Sequence, residues 1–188
     1  MTGESAVGSV TDLVTAPESG APPERREAVE VRSDGVAGDR YRLGDGTFQL
    51  DACAVTLVAA EALDAVCEET GIDVSDGRHR RNVVVDGFGA GMDDLLDATV
   101  AVGDALLRPT RRRPPCAHVE ELAGADGLAA ALRERGGLCC DVTEPGRVAV
   151  GDRVAIREAD PRTAGAAIAD RLRDGASDGH SRPDSHGE

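Results

Sequence analysis

The sequence predicts a mainly β fold, a barrel or a sandwich, into which a few α-helices are inserted. Two observations support this prediction. Short runs that alternate apolar and polar residues, or that are rich in β-branched residues, recur along the chain. Turns rich in glycine and aspartate separate most of these runs, whereas an alternating α/β sheet would need a helix after nearly every strand.

The predicted strands extend from near the N-terminus to residue 156. The first, Val7 to Val14, alternates apolar and polar side chains. Val83-Val84-Val85 is apolar throughout, which is typical of a strand buried on both faces. The remaining strands are predicted at 28–32, 52–58, 99–107 (two pieces around Gly103-Asp104), 138–143, and 147–150 with 153–156 as a closing hairpin around Gly151-Asp152.

The predicted helices are few and short. Residues 59–70 have helical spacing, with Leu63, Val66 and Cys67 on one face, and Gly71 suits the C-terminal cap. Asp126 has the side chain of an N-cap. The other helical segments are predicted at 92–96 (a short helix or an extended bridge), 117–123 and 127–135.

The length of 188 residues is enough for one well-filled core. We expect this domain to cover residues 1–158. Residues 159–175 have weak helical amphipathicity and predict a C-terminal helical extension. Residues 176–188 are almost entirely polar and predict a disordered tail.

The charge balance is strongly acidic. There are 35 acidic and 21 basic residues, a net charge of -14, and every basic residue is an arginine. This composition is typical of a halophilic acidic protein, because in concentrated salt the Debye length falls to about 3 Å and self-repulsion is screened.

The composition also excludes several function classes. Nucleic-acid binding needs a basic face, which so acidic a chain does not favour, and aromatic residues for base stacking make up only 2%. Schiff-base chemistry needs a lysine, and the sequence has none. The apolar runs are too short to span a bilayer, and the N-terminus has no signal-peptide pattern. We therefore expect a cytoplasmic protein that binds neither nucleic acid nor membrane.

The five cysteines, at positions 53, 67, 116, 139 and 140, form no Cys-x-x-Cys pair and no zinc-binding pattern. Cys53 and Cys67 lie among apolar residues and are predicted to be core residues. Cys139-Cys140 lies in a predicted strand, where adjacent side chains point to opposite faces. Structural roles are expected for these four.

Cys116 is the candidate reactive residue. Pro114-Pro115 ends the preceding strand and suits the start of a helix, so Cys116 is predicted near the first helical turn. Unpaired N–H groups there favour an anion, and the arginines at 111–113 would further lower the pKa of the thiol. The alternative is a buried structural cysteine.

A second candidate is the basic segment 76–82, which leads directly into Val83. Arg78, His79, Arg80 and Arg81 concentrate positive charge in an otherwise acidic chain. The segment is either a solvated loop or a site for an anionic ligand, and we favour the second interpretation.

Six short motifs occur here in the order in which they occur in the MOSC domain, the C-terminal domain of molybdenum cofactor sulfurases, which also exists as small stand-alone proteins. From about Val7 to Ile156 the chain therefore resembles this family. The motifs are Gly38-Asp39-Arg40-Tyr41, Arg80-Arg81-Asn82-Val83-Val84, Val102-Gly103-Asp104-Ala105, Pro115-Cys116-Ala117-His118-Val119-Glu120, Arg135-Gly136-Gly137-Leu138 and Val150-Gly151-Asp152.

The resemblance implies a β-barrel-like fold and one functional cysteine, which falls on Cys116. It implies either a thiolate ligand of molybdenum in an oxidoreductase that reduces small N-hydroxylated compounds, or a sulfur carrier that receives sulfane sulfur as a cysteine persulfide. The implied partners are the molybdenum cofactor or a sulfur-donor protein, with a small-molecule substrate. Because the cofactor carries phosphate, the positions matched to it are Arg80 and Asn82, followed by Arg40 and Arg135.

Two departures from the family pattern concern the chemistry. Stand-alone members often have Cys-x-x-Cys where this chain has Arg113 and Cys116, so no dithiol is expected here. They also tend to have His before Arg-Gly-Gly, whereas this chain has Glu134. His118 is the alternative proton donor, although an exposed helix position is the simpler role for it. A ligand-binding barrel with an inert cysteine is a third hypothesis, ranked behind the other two.

Overall fold

A computed structural model of the chain describes residues 4–18, 20–40, 53–89, 92–113 and 117–157. Cys116 and the predicted C-terminal segments 159–175 and 176–188 lie outside these residues. Their predictions are therefore not tested by the structure.

The described residues form eleven strands, three α-helices and a 3₁₀ helix. The strands are β1 (Glu4–Thr15), β2 (Glu24–Arg25), β3 (Ala28–Arg32), β4 (Gly35–Val36), β5 (Val55–Ala59), β6 (Val83–Val85), β7 (Thr99–Val102), β8 (Ala105–Arg112), β9 (Leu138–Glu144), β10 (Gly146–Ala149) and β11 (Arg153–Arg157). The helices are α1 (Ala60–Thr70), α2 (Ala117–Ala123) and α3 (Leu128–Ala131), with the 3₁₀ helix at Met92–Leu95.

Seven strands close into a barrel in the order β11-β7-β8-β9-β5-β6-β1, because β1 also pairs with β11. Every pairing in it is antiparallel except that of β5 with β6, which is parallel and is connected through α1. The predicted mainly β, barrel-like fold with a few inserted helices is confirmed.

The predicted closing hairpin between β10 and β11 is wrong. β10 pairs with β3 in a separate three-stranded sheet, whereas β11 pairs with β7 and β1. The turn at Gly151-Asp152 nevertheless forms, and the Asp152 carboxylate accepts a hydrogen bond from the Ala149 N–H at 2.7 Å. Local turn signals do not determine which strand becomes the neighbour.

Two apolar clusters lie on opposite faces of β5 and β6. Leu57, Val83 and Val85 belong to the large cluster that the barrel strands form. Val58 and Val84 belong to a second cluster with the helices, which contribute Leu63, Val66, Val119, Leu128 and Leu132. Burial on both faces explains why Val83-Val84-Val85 is apolar throughout.

The helix predictions hold for α1 and α2, but α3 is shorter than the predicted 127–135. Its N-cap is Gly127, with φ 88° and no capping side chain, instead of Asp126. Glu120 of α2 accepts a hydrogen bond from the Ala129 N–H at 2.9 Å. The glutamate of the Cys116 motif therefore joins α2 to α3.

Among the described residues, no helix combines the length and the apolarity needed to cross a membrane.

Candidate functional site

Four arginines meet at one end of the barrel, in a depression that we call the arginine cleft. It is lined by Arg112 and Arg113 at the end of β8, by Arg133 and Arg135 after α3, and by Gly136, Gly137 and Leu138 at the start of β9. Asp93 and Glu134 are its acidic residues. The enclosed volume is about 30 Å³, enough for a group the size of about two water molecules, such as an oxyanion.

The two glycines of the Arg135-Gly136-Gly137 motif let the backbone of this cleft pack closely. A Cβ on Gly137 would lie 1.9 Å from the Leu57 carbonyl oxygen of β5. A Cβ on Gly136 would lie 2.8 Å from the Leu132 carbonyl oxygen and 3.3 Å from Nη2 of Arg81. A side chain at either position would displace the cleft wall.

Arg81 holds the Gly136-Gly137 wall of the cleft in place by hydrogen bonds from the protein interior. Its side chain is only 2% exposed, and its Nε donates to the Gly136 carbonyl oxygen at 2.7 Å while Nη1 donates to the His79 carbonyl oxygen at 2.8 Å. The buried guanidinium thus connects the basic segment before β6 to the glycine motif before β9. Arg81 also brings a positive charge close to the cleft.

The four arginines that line the cleft differ in their pairing. Arg112 forms an ion pair with Asp93, and Arg135 forms one with Glu69 at 2.8 Å. Nε of Arg113 is buried and has no hydrogen-bond partner within the described part of the chain. A buried unpaired donor costs free energy unless a ligand or water accepts from it. The donor set therefore fits an anionic group.

Arg80 and Asn82 line a different, smaller cleft of about 10 Å³, together with Asp39, Thr15 and Ala16. This space holds about one water molecule. Asn82 Oδ1 accepts hydrogen bonds from the N–H and hydroxyl of Thr56, at 3.1 and 2.9 Å.

Arg80 has a left-handed backbone with φ 58°, and its Nη2 donates to the Ala21 carbonyl oxygen at 2.7 Å. Arg40 is near the same cleft, since its N–H donates to the Ala16 carbonyl oxygen at 3.0 Å.

The predicted cofactor-binding residues are thus divided. Arg135 lines the arginine cleft, whereas Arg40, Arg80 and Asn82 lie at the smaller cleft. Arg133 and the buried connection through Arg81 were not identified from the sequence. The sequence signals for Arg81 were its place in the basic segment and in the Arg80-Arg81-Asn82-Val83-Val84 motif, and neither distinguishes it from Arg80.

His79, in the same basic segment, is a buried neutral residue rather than an exposed cation. It is 1% exposed, and its Nδ1 accepts a hydrogen bond from the Arg81 N–H at 3.0 Å. Burial lowers the pKa of His79 to about 3, and the charge of Arg81 acts in the same direction. His118 is partly exposed on α2 near Glu121, with 3.5 Å between Nδ1 and Oε2.

The cysteine predictions need correction. Cys67 is exposed and Cys53 is only partly buried, so neither is a core residue. Cys140 does belong to the barrel core. Cys139 is fully buried. The interaction with the Cys53 thiol, together with the positive charges of Arg113, Arg111 and Arg81, lowers the pKa of Cys139 to about 7, although burial opposes the shift.

The described residues contain no group of three or more His, Cys, Asp or Glu side chains placed to hold a metal ion. Arg113 and Ala117, which bracket the segment that carries Cys116, are both described. The first lines the arginine cleft and the second begins α2.

The described residues thus form a closed β-barrel protein of seven strands with an arginine cleft at one end. The comparison with known families identifies the family to which it belongs. The model of the MOSC domain matches residues 47–155. The chain belongs to the MOSC domain family. No curated protein is similar enough in sequence to be counted as a relative.

Solved structures share the fold. The YuaD protein from Bacillus subtilis aligns over 85% of this chain and 100% of its own, with a TM-score of 0.69 and 17% identity. YiiM from Escherichia coli aligns over 80% of this chain and 70% of its own, with a TM-score of 0.58 and 14% identity. YiiM from Geobacillus stearothermophilus aligns over 83% and 76%, with a TM-score of 0.57 and 16% identity.

Proposed function

We propose that this MOSC protein binds the molybdenum cofactor with Cys116 as the thiolate ligand of the metal and reduces small N-hydroxylated compounds. The observation that carries the proposal is the buried Nε of Arg113, which has no hydrogen-bond partner among the described residues and lies in a cleft lined by three further arginines. This cleft lies where the short segment bearing Cys116 leaves β8. The bound cofactor would supply the two-electron chemistry at molybdenum.

The arginine cleft is suited to the phosphate of the cofactor. Arg113 would donate from its buried Nε, and Arg133, which has no ion pair with a described residue, is available at the rim. Arg112 and Arg135 add charge but already have carboxylate partners. A volume of about 30 Å³ matches a phosphate group rather than a ring system, so the rest of the cofactor would lie outside the enclosed part.

The same cations would keep Cys116 ionised, because a thiolate near guanidinium groups is favoured over the thiol. A thiolate is the form that binds a soft metal such as molybdenum. The roles of Arg40, Arg80 and Asn82 in cofactor binding remain proposals. Their smaller cleft and the existing hydrogen bonds of Asn82 favour positioning of the basic segment.

The test is metal analysis of the full chain produced in a host that makes the cofactor. Wild type is expected to contain close to one molybdenum per chain, and Cys116→Ala is expected to lose it. Cys67→Ser, which changes an exposed cysteine of α1, is the matched control and should keep the metal. Arg113→Met should lower the molybdenum content more than Arg108→Met, because Arg108 pairs with Asp141 and does not line the cleft. Equal molybdenum in wild type and Cys116→Ala would refute the proposal.

The second candidate is a sulfur carrier, with Cys116 holding sulfane sulfur as a persulfide. The small volume of the arginine cleft favours it, since one sulfur atom needs less room than a cofactor. Metal-free wild type treated with a cysteine desulfurase would then gain the mass of one sulfur atom at Cys116, and Cys116→Ser would not. Loss of molybdenum in Cys116→Ala without any persulfide in wild type would exclude the carrier role.

A further inference from the structure

A second depression, which we call the α1 groove, lies between β1, α1 and the basic segment before β6. Its lining includes Asp12 of β1, Asp64 of α1, Asp73 in the loop after α1, and His79. It has a volume of about 270 Å³, against about 30 Å³ for the arginine cleft. Small-molecule sites begin at about 300 Å³. No lining residue is shared with the arginine cleft or the smaller cleft, so the α1 groove is a separate feature.

The floor of the α1 groove is apolar except for one buried donor. Leu63, Val74 and Val84 belong to the helix-side apolar cluster. His79 is 1% exposed, and its Nδ1 accepts from the Arg81 N–H. Because burial keeps this imidazole neutral, its one hydrogen is on Nε2. No residue in the described ranges accepts a hydrogen bond from Nε2. A donor on so buried a side chain costs free energy unless a ligand or water accepts from it.

The rim of the α1 groove is acidic. Arg25 is its one basic residue within the described ranges, and its Nε is already paired with Oδ1 of Asp12 at 3.0 Å. Oδ1 of Asp73 accepts from the Ser75 N–H at 2.9 Å, which lowers the pKa of Asp73 and keeps it ionised. Asp64 is exposed and has no ion pair with a described residue. The rim therefore favours a cation over an anion.

We propose that the α1 groove binds a small organic cation, with an ammonium group on an apolar body that also carries a hydrogen-bond acceptor. The ammonium group is held by Asp64 and Asp73 at the rim, the apolar body packs on Leu63 and Val84, and the acceptor takes the hydrogen bond of His79 Nε2. In a chain of net charge -14, acidic side chains alone would not distinguish a site. The buried donor and the apolar floor make this groove specific. The inference goes beyond the proposed function, because it needs neither Cys116 nor a bound cofactor.

The groove contains its own reporter of occupancy. Cys67 of α1 is exposed and lines the groove, so a bound ligand should slow its alkylation by iodoacetamide. Cys53 is partly buried and does not line the groove, which makes it the internal reference. Peptide mass spectrometry of the full chain measures both rates, and their dependence on ligand concentration gives a Kd. The measurement is made at low ionic strength, where salt does not screen the attraction between exposed charges.

Three related compounds separate the parts of the proposal. Tyramine has the ammonium group, the apolar ring and an oxygen acceptor, and it should protect Cys67 but not Cys53. Tyrosol, in which a hydroxyl replaces the amino group, should bind about tenfold more weakly because the charge is lost. Phenethylamine, which lacks the phenol oxygen, should bind about fivefold more weakly because His79 Nε2 again has no acceptor. This comparison tests the role of His79 without changing a buried residue.

Variants at the rim complete the test. Asp64→Asn should weaken tyramine binding about fivefold. Glu68→Gln is the matched control, because Glu68 is an exposed acid on the same helix that does not line the groove. It should leave the Kd unchanged, and circular dichroism verifies that both variants are folded. The proposal is overturned if tyramine does not slow the alkylation of Cys67, or if tyrosol or phenethylamine protects Cys67 as well as tyramine does. Equal Kd values for wild type and Asp64→Asn overturn it as well.

Discussion

Replacing Gly137 with alanine is expected to destabilise the protein far more than the same change at Gly127. The two glycines have nearly the same left-handed backbone, with φ 85° and 88°. They differ in the space beside them. A Cβ at Gly137 would lie 1.9 Å from the Leu57 carbonyl oxygen and 3.0 Å from the Val58 Cα, whereas a Cβ at Gly127 would meet no atom within 4 Å. Comparing the two variants therefore separates the cost of backbone strain, which both share, from the cost of close packing, which only Gly137→Ala has.

The expected magnitudes follow from that difference. Both substitutions place a non-glycine residue in the left-handed region, which costs about 1–2 kcal/mol. At Gly137 the new methyl group also forces β9 away from β5 next to the Leu57–Leu138 pair. Overpacking of this kind costs about 1–3 kcal/mol, and each ladder hydrogen bond that is lost adds about 1 kcal/mol. With one ladder hydrogen bond lost, we expect a total of about 3–6 kcal/mol for Gly137→Ala.

The assay is thermal unfolding followed by circular dichroism in a concentrated potassium chloride buffer. For a chain of 188 residues, each kcal/mol lowers Tm by about 2–4 °C. Gly127→Ala should therefore lose a few degrees and Gly137→Ala on the order of 10 °C. Equal losses of Tm in the two variants would show that backbone strain alone sets the cost and that the close approach to β5 has no energetic consequence.

Three further predictions concern other contacts. His79 has a pKa of about 3 in the folded protein against 6.5 when unfolded, so its neutral form stabilises the fold above pH 6.5 and this contribution is lost as the pH falls towards 3. Relative to His79→Asn, wild type should lose about 1.4 kcal/mol per pH unit in that window, measured by urea unfolding, and parallel curves would contradict the shift. Glu120→Ala should cost about 1 kcal/mol because the Ala129 N–H loses its acceptor, while Glu121→Ala, an exposed control, should change the free energy of unfolding little. Raising potassium chloride from about 0.1 M to about 1 M should raise Tm, because salt screens the repulsion within a chain of net charge -14, and an unchanged Tm would refute the halophilic interpretation.

The strands and turns were largely predictable because they depend on local pattern. Residues 28–32, 83–85 and 138–143 were predicted as strands and are strands in the structure, with β9 one residue longer than predicted. The partners of the strands were less predictable. β10 and β11 are joined by a short turn yet belong to different sheets, because barrel closure gives β11 two other neighbours.

The burial of the cysteines could not be predicted from the hydropathy pattern alone. Cys67 lies on a helix with an apolar stripe, but it falls at the edge of the stripe and is exposed. Cys53 and Cys139 are 86 positions apart in the sequence, and no local pattern relates them. The electrostatic interaction between the two thiols depends on the pairing of β5 with β9, which is a long-range contact.

The sequence by itself determined the fold class, the family resemblance and the candidate cysteine at position 116, because periodicity, turn residues and motif order are all written along the chain. Only the tertiary structure decided which charges share a site. Arg113 and Arg135 come together, while Arg80 and Asn82 line another cleft. The physical reason is that barrel closure and the buried guanidinium of Arg81 determine which of these side chains lie close together. Such contacts between distant segments leave no periodic signal in the sequence.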